Sequence, residues 1–139
     1  MSKMSKKNYL SLFCLALLFL TQGRQVFAQA EDTLRVTDMK FCTAVQNREP
    51  IGVDTVFADT VRQVYCFTLI EEAKDTTSIT HVWYHGDEKR AEIHLKVGPI
   101  CWRTWSSKRI MKEWAGKWQV EVKSAEGTII RTEEFEIKE

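Results

Sequence analysis

Three consecutive residues of this sequence, Ser106-Ser107-Lys108, carry the side chains of a nucleophile and a base. A serine becomes nucleophilic when a basic group lies within hydrogen-bond reach and an oxyanion hole faces the substrate. Neighbouring residues of a β-strand point to opposite faces, so Ser107 and Lys108 do not face each other on the strand predicted here. The sequence also lacks a Gly-x-Ser-x-Gly nucleophile elbow. We therefore favour a non-catalytic protein and keep a small hydrolase built on this segment as the alternative.

The three histidines are candidate metal ligands. On one strand, His81 and His85 would lie about 13 Å apart at ~3.3 Å per residue, too far to share a zinc ion. Across a hairpin His81 could approach His94, with Glu92 as a conceivable third ligand. This set is incomplete, so we predict no metal site and no cofactor.

A face rich in aromatic and basic side chains is predicted on the hairpin over residues 78–97. Regular pairing about the turn Gly86-Asp87 places His81, Trp83 and Arg90 together, away from the apolar side chains that would face the core. Indole rings and guanidinium groups suit sugar rings and acidic partners. The alternative is an ordinary solvated face whose tryptophan packs under a neighbouring loop.

The strand that follows adds two further candidates, because Arg103 and Trp105 share a face. If the two strands were neighbours, their side chains would form one patch. The predicted ligand-binding residues are His81, Trp83, Arg90, Arg103 and Trp105.

The pattern of short β-rich segments between turn signals predicts an all-β fold. The eight predicted strands cover residues 34–45, 53–57, 61–70, 78–85, 89–97, 101–107, 117–123 and 128–137. The first should contain a bulge, because its alternation changes phase between Val36 and Met39. The third is apolar on both faces and should be central. Seven or eight strands at this spacing are typical of an immunoglobulin-like antiparallel β-sandwich. A true immunoglobulin domain is not indicated. Cys66 and Trp83 could form half of its Cys…Trp…Cys pattern, but the strand that contains Trp118 has no second cysteine.

The first thirty residues have the pattern of a secretory signal peptide. Lysines precede the apolar run Leu10–Leu20, and small residues allow cleavage after Ala28 or Ala30. The run is too short to span a bilayer, which needs about 20 apolar residues. The predicted domains are therefore a signal peptide over 1–30 and a single β-sandwich over 31–139, exported to the periplasm or the extracellular space.

Charge and cysteine content limit the partners of the exported chain. The whole sequence has a net charge of +1, and removal of residues 1–30 takes away four basic residues and no acidic one, leaving −3. This charge does not suggest nucleic-acid binding, and no transmembrane span is predicted in the mature chain. Cys42, Cys66 and Cys101 remain, so at least one thiol is unpaired within a monomer.

Four segments of the sequence resemble a bacterial family known as domain of unknown function 2914. They are VYCFT at 64–68, ITHVWY at 79–84, WRTWSSK at 102–108 and GKWQVEV at 116–122. The resemblance extends over about Met39 to Ile137. It implies an envelope-associated bacterial domain and supplies no established activity.

These observations lead to a functional expectation. We expect an exported, envelope-associated binding or interaction module whose partner is envelope polysaccharide or another envelope protein. A purely structural accessory role would follow if every tryptophan were buried.

Overall fold

The computed structural model describes residues 34–139, which form ten β-strands and one short 3-10 turn. The predicted signal peptide over 1–30 lies outside the described residues. Within 34–139, no helix has the length and apolar character needed to cross a membrane. The strands are β1 (Arg35–Cys42), β2 (Ala44–Gln46), β3 (Glu49–Ile51), β4 (Val56–Ala58), β5 (Gln63–Glu71), β6 (Thr77–His85), β7 (Glu88–Val97), β8 (Cys101–Arg109), β9 (Gly116–Ser124) and β10 (Ile129–Lys138), and the 3-10 turn is Asp59–Val61.

Two sheets contain the seven long strands. The smaller has the order β1-β5-β8 and the larger β4-β10-β9-β6-β7, while β2 and β3 form a separate hairpin. The first, second and fifth long strands thus share one sheet, and the other four share the second. This is the division between strands A, B, E and strands C, C′, F, G of immunoglobulin-like sandwiches. The predicted all-β sandwich is confirmed.

The short strands of the structure differ from the predicted ones. The strand predicted over 53–57 is present as β4, displaced to Val56–Ala58, and the hairpin of β2 and β3 was not predicted. Val56–Ala58 pairs in parallel with the end of β10 and extends the larger sheet beyond its last long strand. The predicted first strand is divided into β1 and β2. Its predicted bulge is confirmed, because the register with β5 shifts between Val36 and Asp38. The predicted central position of β5 in its sheet is also confirmed.

An aromatic cluster fills the space between the sheets. The Phe135 ring lies 4.6 Å from that of Phe41, 5.8 Å from Trp118 and 6.0 Å from both Trp83 and Phe57, measured between ring centroids. All five side chains are buried. Phe41 belongs to the smaller sheet and the other four to the larger, so this cluster packs one sheet against the other.

The side chains of β9 alternate between the core and the outer face. Trp118 is buried with Val120 and Val122, while Gln119 and Glu121 between them are only partly covered. Before this strand the chain makes a turn, in which Trp114 N–H donates to the Met111 carbonyl at 3.0 Å.

Candidate functional site

A row of side chains along β8 forms the outer face of the smaller sheet. Arg103 and Trp105 share this face as predicted, and Ser107 and Arg109 continue it because side chains alternate along a strand. Trp105 is partly exposed and Arg103 is exposed. We call Arg103, Trp105, Ser107 and Arg109 the β8 row.

The neighbouring strand β5 supports the β8 row from one side. Phe67 is paired with Trp105, and their rings are near-parallel at 14°, with centroids 6.4 Å apart. Gln63 Nε2 donates to Ser107 Oγ at 2.9 Å. Phe67 is buried, so it holds the indole against the sheet while part of the indole surface stays open to solvent. Sequence analysis missed this role of Phe67, although the alternation of Tyr65, Phe67 and Leu69 was its signal.

An exposed ion pair occupies one end of the row. Arg103 Nη1 lies 3.1 Å from Glu49 Oε1, and both side chains are about half exposed, 42% and 58%. Such pairs contribute about 0–1 kcal/mol to stability, because water screens them. The guanidinium can therefore exchange Glu49 for an acidic group of a ligand at small cost.

His81 and Trp83 do not lie on an outer face, and the prediction that placed them there is wrong. Both are fully buried, and their strand β6 belongs to the sheet opposite β8. They therefore form no surface patch with Arg103 and Trp105. Ligand binding at the exposed candidates stays a prediction.

A bulge in β7 accounts for this difference. His85 pairs with Glu88 and Tyr84 with Lys89 around the predicted turn, but Trp83 then pairs with Ala91, so Arg90 is an extra residue. An insertion of one residue transfers all later side chains of a strand to the opposite face. The apolar side chains of β7 consequently lie beside Trp83 and His81, on the core side of the sheet. Tyr84 instead lies on the other, solvent-facing side.

The buried His81 belongs to a hydrogen-bonded chain between the two sheets. Thr68 Oγ1 donates to the Thr104 carbonyl at 2.9 Å, so it can accept from His81 Nε2–H at 3.3 Å. His81 Nδ1 is then the acceptor of the Ser106 hydroxyl at 2.6 Å. Trp83 Nε1–H donates to Ser106 Oγ at 3.1 Å and completes the chain. Every polar side-chain atom of His81, Ser106 and Trp83 thus has a partner, as buried polar groups require.

Burial sets the charge of His81. It lowers the pKa of His81 from its usual 6.5 to about 4, because a charged imidazole would lose its hydration. The neutral imidazole fits the chain of donors and acceptors, since one ring nitrogen donates and the other accepts. The network therefore joins the sheets with uncharged groups.

The side chains of Ser106, Ser107 and Lys108, on which the hydrolase alternative depends, have three different surroundings. Ser106 is 5% exposed and bonded to His81 in the core. Ser107 accepts from Gln63 on the outer face. The Lys108 ammonium lies 5.3 Å from the centroid of the Trp114 ring. The segment does not bring a serine and the lysine together.

Arg90 lies at a second cation–aromatic contact. Its guanidinium carbon is 4.5 Å from the centroid of the Trp114 ring, and Nη2 lies 2.7 Å from Glu88 Oε2. The indole N–H of the buried Trp118 donates to the Trp114 backbone carbonyl at 2.9 Å, and this bond holds the Trp114 backbone beside the core. Arg90 and Lys108 thus both contact Trp114, and sequence analysis did not foresee this cluster.

The cysteines are free thiols in the described chain. Burial raises the pKa of Cys42 and raises that of Cys66 well above its usual value. Cys101 is exposed at the first position of β8. Among residues 34–139, no group of three or more His, Cys, Asp or Glu side chains is arranged to hold a metal ion.

Comparison with known proteins gives a family match for the second half of the described chain. Residues 76–137 match a family described as Protein of unknown function (DUF2914). The match includes β6 to β9 and most of β10, with three of the four segments on which the resemblance was predicted; 64–68 lies outside it. No curated protein matches the chain. Over residues 76–137, the chain is therefore similar to the DUF2914 family.

Proposed function

We propose that this protein is an exported, envelope-associated binding module without catalytic activity, and that the β8 row binds envelope polysaccharide. The observation that carries the proposal is the partly exposed Trp105 held beside the buried Phe67, with Arg103 two positions away on the same face. A flat indole of this kind stacks on sugar rings through its apolar face. A guanidinium beside it recognises carboxylate or phosphate substituents in a bidentate manner.

The hydrolase alternative receives less support from the arrangement of its residues. A serine nucleophile must reach substrate, and Ser106 is covered by the two sheets. Its hydroxyl also orders a buried network that joins the sheets. We assign this serine a structural role.

Binding is tested with polysaccharide extracted from bacterial envelopes and immobilised on beads. Trp105→Ala should weaken retention of the protein by about tenfold or more, as truncation of a central aromatic contact does. Arg103→Gln should weaken it as well, and it should preserve the fold because its ion pair is exposed. The control is Tyr84→Ala, a partly exposed aromatic residue on the outer face of the opposite sheet.

Thermal melts separate binding from folding. The proposal is overturned if Trp105→Ala and Arg103→Gln bind as well as the wild type, or if Tyr84→Ala loses as much binding as they do. Retention by an envelope protein instead of the polysaccharide would replace the proposed partner with the alternative one.

Export has its own measurement. The intact mass of protein recovered from outside the cytoplasm should correspond to a chain that starts at Gln29 or Glu31. Recovery of an exported form that retains Met1 to Leu20 would contradict the predicted processing.

A further inference from the structure

A cavity that the proposed stacking does not require lies at the Arg109 end of the β8 row. It measures about 420 Å³ and is open to solvent. The last pair of the β5–β8 ladder, Gln63 and Arg109, lies at its edge. Its lining residues are Arg62, Gln63, Arg109, Ile110, Met111 and Lys112.

All the charged side chains that line this cavity are basic. Arg62, Arg109 and Lys112 supply three cations, and no acidic side chain of the described chain is among its lining residues. None of the three forms an ion pair within residues 34–139, whereas Arg35, Arg90, Arg103 and Arg131 each contact a carboxylate. Cations held near one another repel, and a bound anion removes that repulsion.

The backbone holds the first of these cations in place. Ile110 N–H donates to the Arg62 carbonyl at 2.7 Å, which fixes Arg62 beside the end of β8. Arg62 has a φ of 62°, a conformation that favours glycine. An arginine at this position therefore has no advantage for the backbone, and its side chain lines the cavity.

We propose that this pocket binds an oxyanion, the carboxylate or phosphate group of an acidic polysaccharide. Arginine forks bind both groups through paired hydrogen bonds, and lysine adds a point charge. Arg109 and Arg103 lie on the same face of β8, six positions and about 20 Å apart at ~3.3 Å per residue. One extended acidic chain can therefore lie along the β8 row from Arg103 past Trp105 to the pocket. This inference rests on the proposed function in one respect, namely that the bound anion belongs to a polysaccharide.

The pocket is tested with small anions, independently of any polymer. Protein purified from cells expressing the full chain is titrated with inorganic phosphate, with glucuronate, and with glucose as the neutral control. The readout is the NMR signal of the methionine methyl groups. Met111 is 42% exposed and lines the pocket, whereas Met39 is buried in β1 and serves as an internal reference.

Either oxyanion should shift the Met111 signal, while Met39 stays constant and glucose has no effect. A response to phosphate alone assigns the pocket to phosphate substituents, and a response to glucuronate alone assigns it to uronic acids. Arg109→Gln should weaken the response about tenfold or more, the loss expected for a charge-assisted hydrogen bond. Added salt should weaken it as well.

Two further variants control for folding and for general charge. Arg62→Gly removes the cation and suits the positive φ, so a weakened response cannot be attributed to a strained backbone. Lys96→Gln removes an exposed cation of the other sheet and should bind like the wild type. The inference is overturned if Met111 does not respond, if glucose acts like the anions, or if both arginine variants respond fully.

The two proposals fail separately. Trp105→Ala should lose polysaccharide retention and keep the small-anion response at Met111. If the anions do not bind while retention still depends on Trp105, only the pocket is rejected. If the anions bind but retention is insensitive to Trp105, only the polysaccharide proposal is rejected.

Discussion

His81 Nδ1 lies 2.6 Å from Ser106 Oγ, and the two residues belong to opposite sheets of the sandwich. In a solvent-exposed cleft this pair would be the nucleophile and base of a hydrolase. Here both residues are buried, and Trp83 and Thr68 occupy their remaining hydrogen-bonding atoms. The same two side chains therefore act as a polar connection between the sheets.

Acid should destabilise the fold through His81. Its pKa is about 4 in the folded protein and 6.5 in the unfolded chain, so the unfolded chain binds more protons between these values. The contribution of neutral His81 to the free energy of unfolding is therefore fully present above about pH 6.5 and decreases as the pH falls towards 4. The total loss of unfolding free energy is about 3 kcal/mol. Urea melts across this range measure the loss. His81→Gln should reduce the slope, and His94→Gln, an exposed change on β7, should keep it; equal slopes in all three proteins would contradict the assignment.

Trp118 and Gln119 should respond differently to truncation. Trp118 is buried and stacks on Phe135 at 5.8 Å, so Trp118→Ala should cost about 3–5 kcal/mol of unfolding free energy. Gln119 lies on the opposite face of β9, and Gln119→Ala should change stability by less than about 0.5 kcal/mol. Denaturant melts of the two variants compare these effects. Similar losses would mean that the facing of β9 is misassigned.

Deletion of Arg90 should prevent normal folding. Without the extra residue, regular pairing would turn Glu92, His94 and Lys96 towards the core and their apolar neighbours towards solvent. The matched control is deletion of Lys74 from the exposed loop between β5 and β6. Soluble yield and circular dichroism should reveal loss of structure in the first variant only. A folded Arg90 deletion with wild-type stability would show that the bulge does not set the facing of β7.

The thiols should differ in reactivity. Cys101 is exposed and should react with a thiol reagent in the native protein. Cys42 and Cys66 are buried with raised pKa values, so they should react only after denaturation, giving three thiols in total for protein that lacks residues 1–30 and hence Cys14. Cys101→Ser should abolish the native reaction. A single reactive thiol after denaturation without reductant would instead indicate a disulfide between two of the cysteines.

The bulges in β1 and β7 show what could be predicted from the sequence and what could not. In β1, the change of phase between Val36 and Met39 marks the bulge directly in the hydrophobic pattern. In the β6–β7 hairpin, Lys89 and Arg90 are both polar, so the pattern gives no sign of an inserted residue. Strand β6 has large apolar or aromatic side chains on both faces, Val82 on one and Trp83 on the other, and therefore could not fix the register.

Local sequence patterns did not predict which distant segments of the chain contact one another. The pairing of Val56–Ala58 with β10 joins distant segments, and nothing within either segment specifies its partner. The placement of Arg103 and Trp105 on one face followed from alternation alone and was correct. The basic pocket depends on Arg62 and Arg109 meeting through the β5–β8 ladder, so its residues could be grouped only once the sheet order was known.

Phe135 gives the fold a particular order of assembly. Four aromatic rings converge on it, including Phe41 of β1, and Arg131 of the same strand donates to the Val36 carbonyl from 95 residues away. At ribosomal rates of about 5–20 residues per second, β10 follows β1 after roughly 5–20 s. During that interval Phe41 of β1 can contact Trp83 of the opposite sheet, at 6.4 Å between ring centroids, but it lacks the closer ring of Phe135. A nascent chain of this protein therefore leaves the side of Phe41 that Phe135 covers unpacked until β10 has been made.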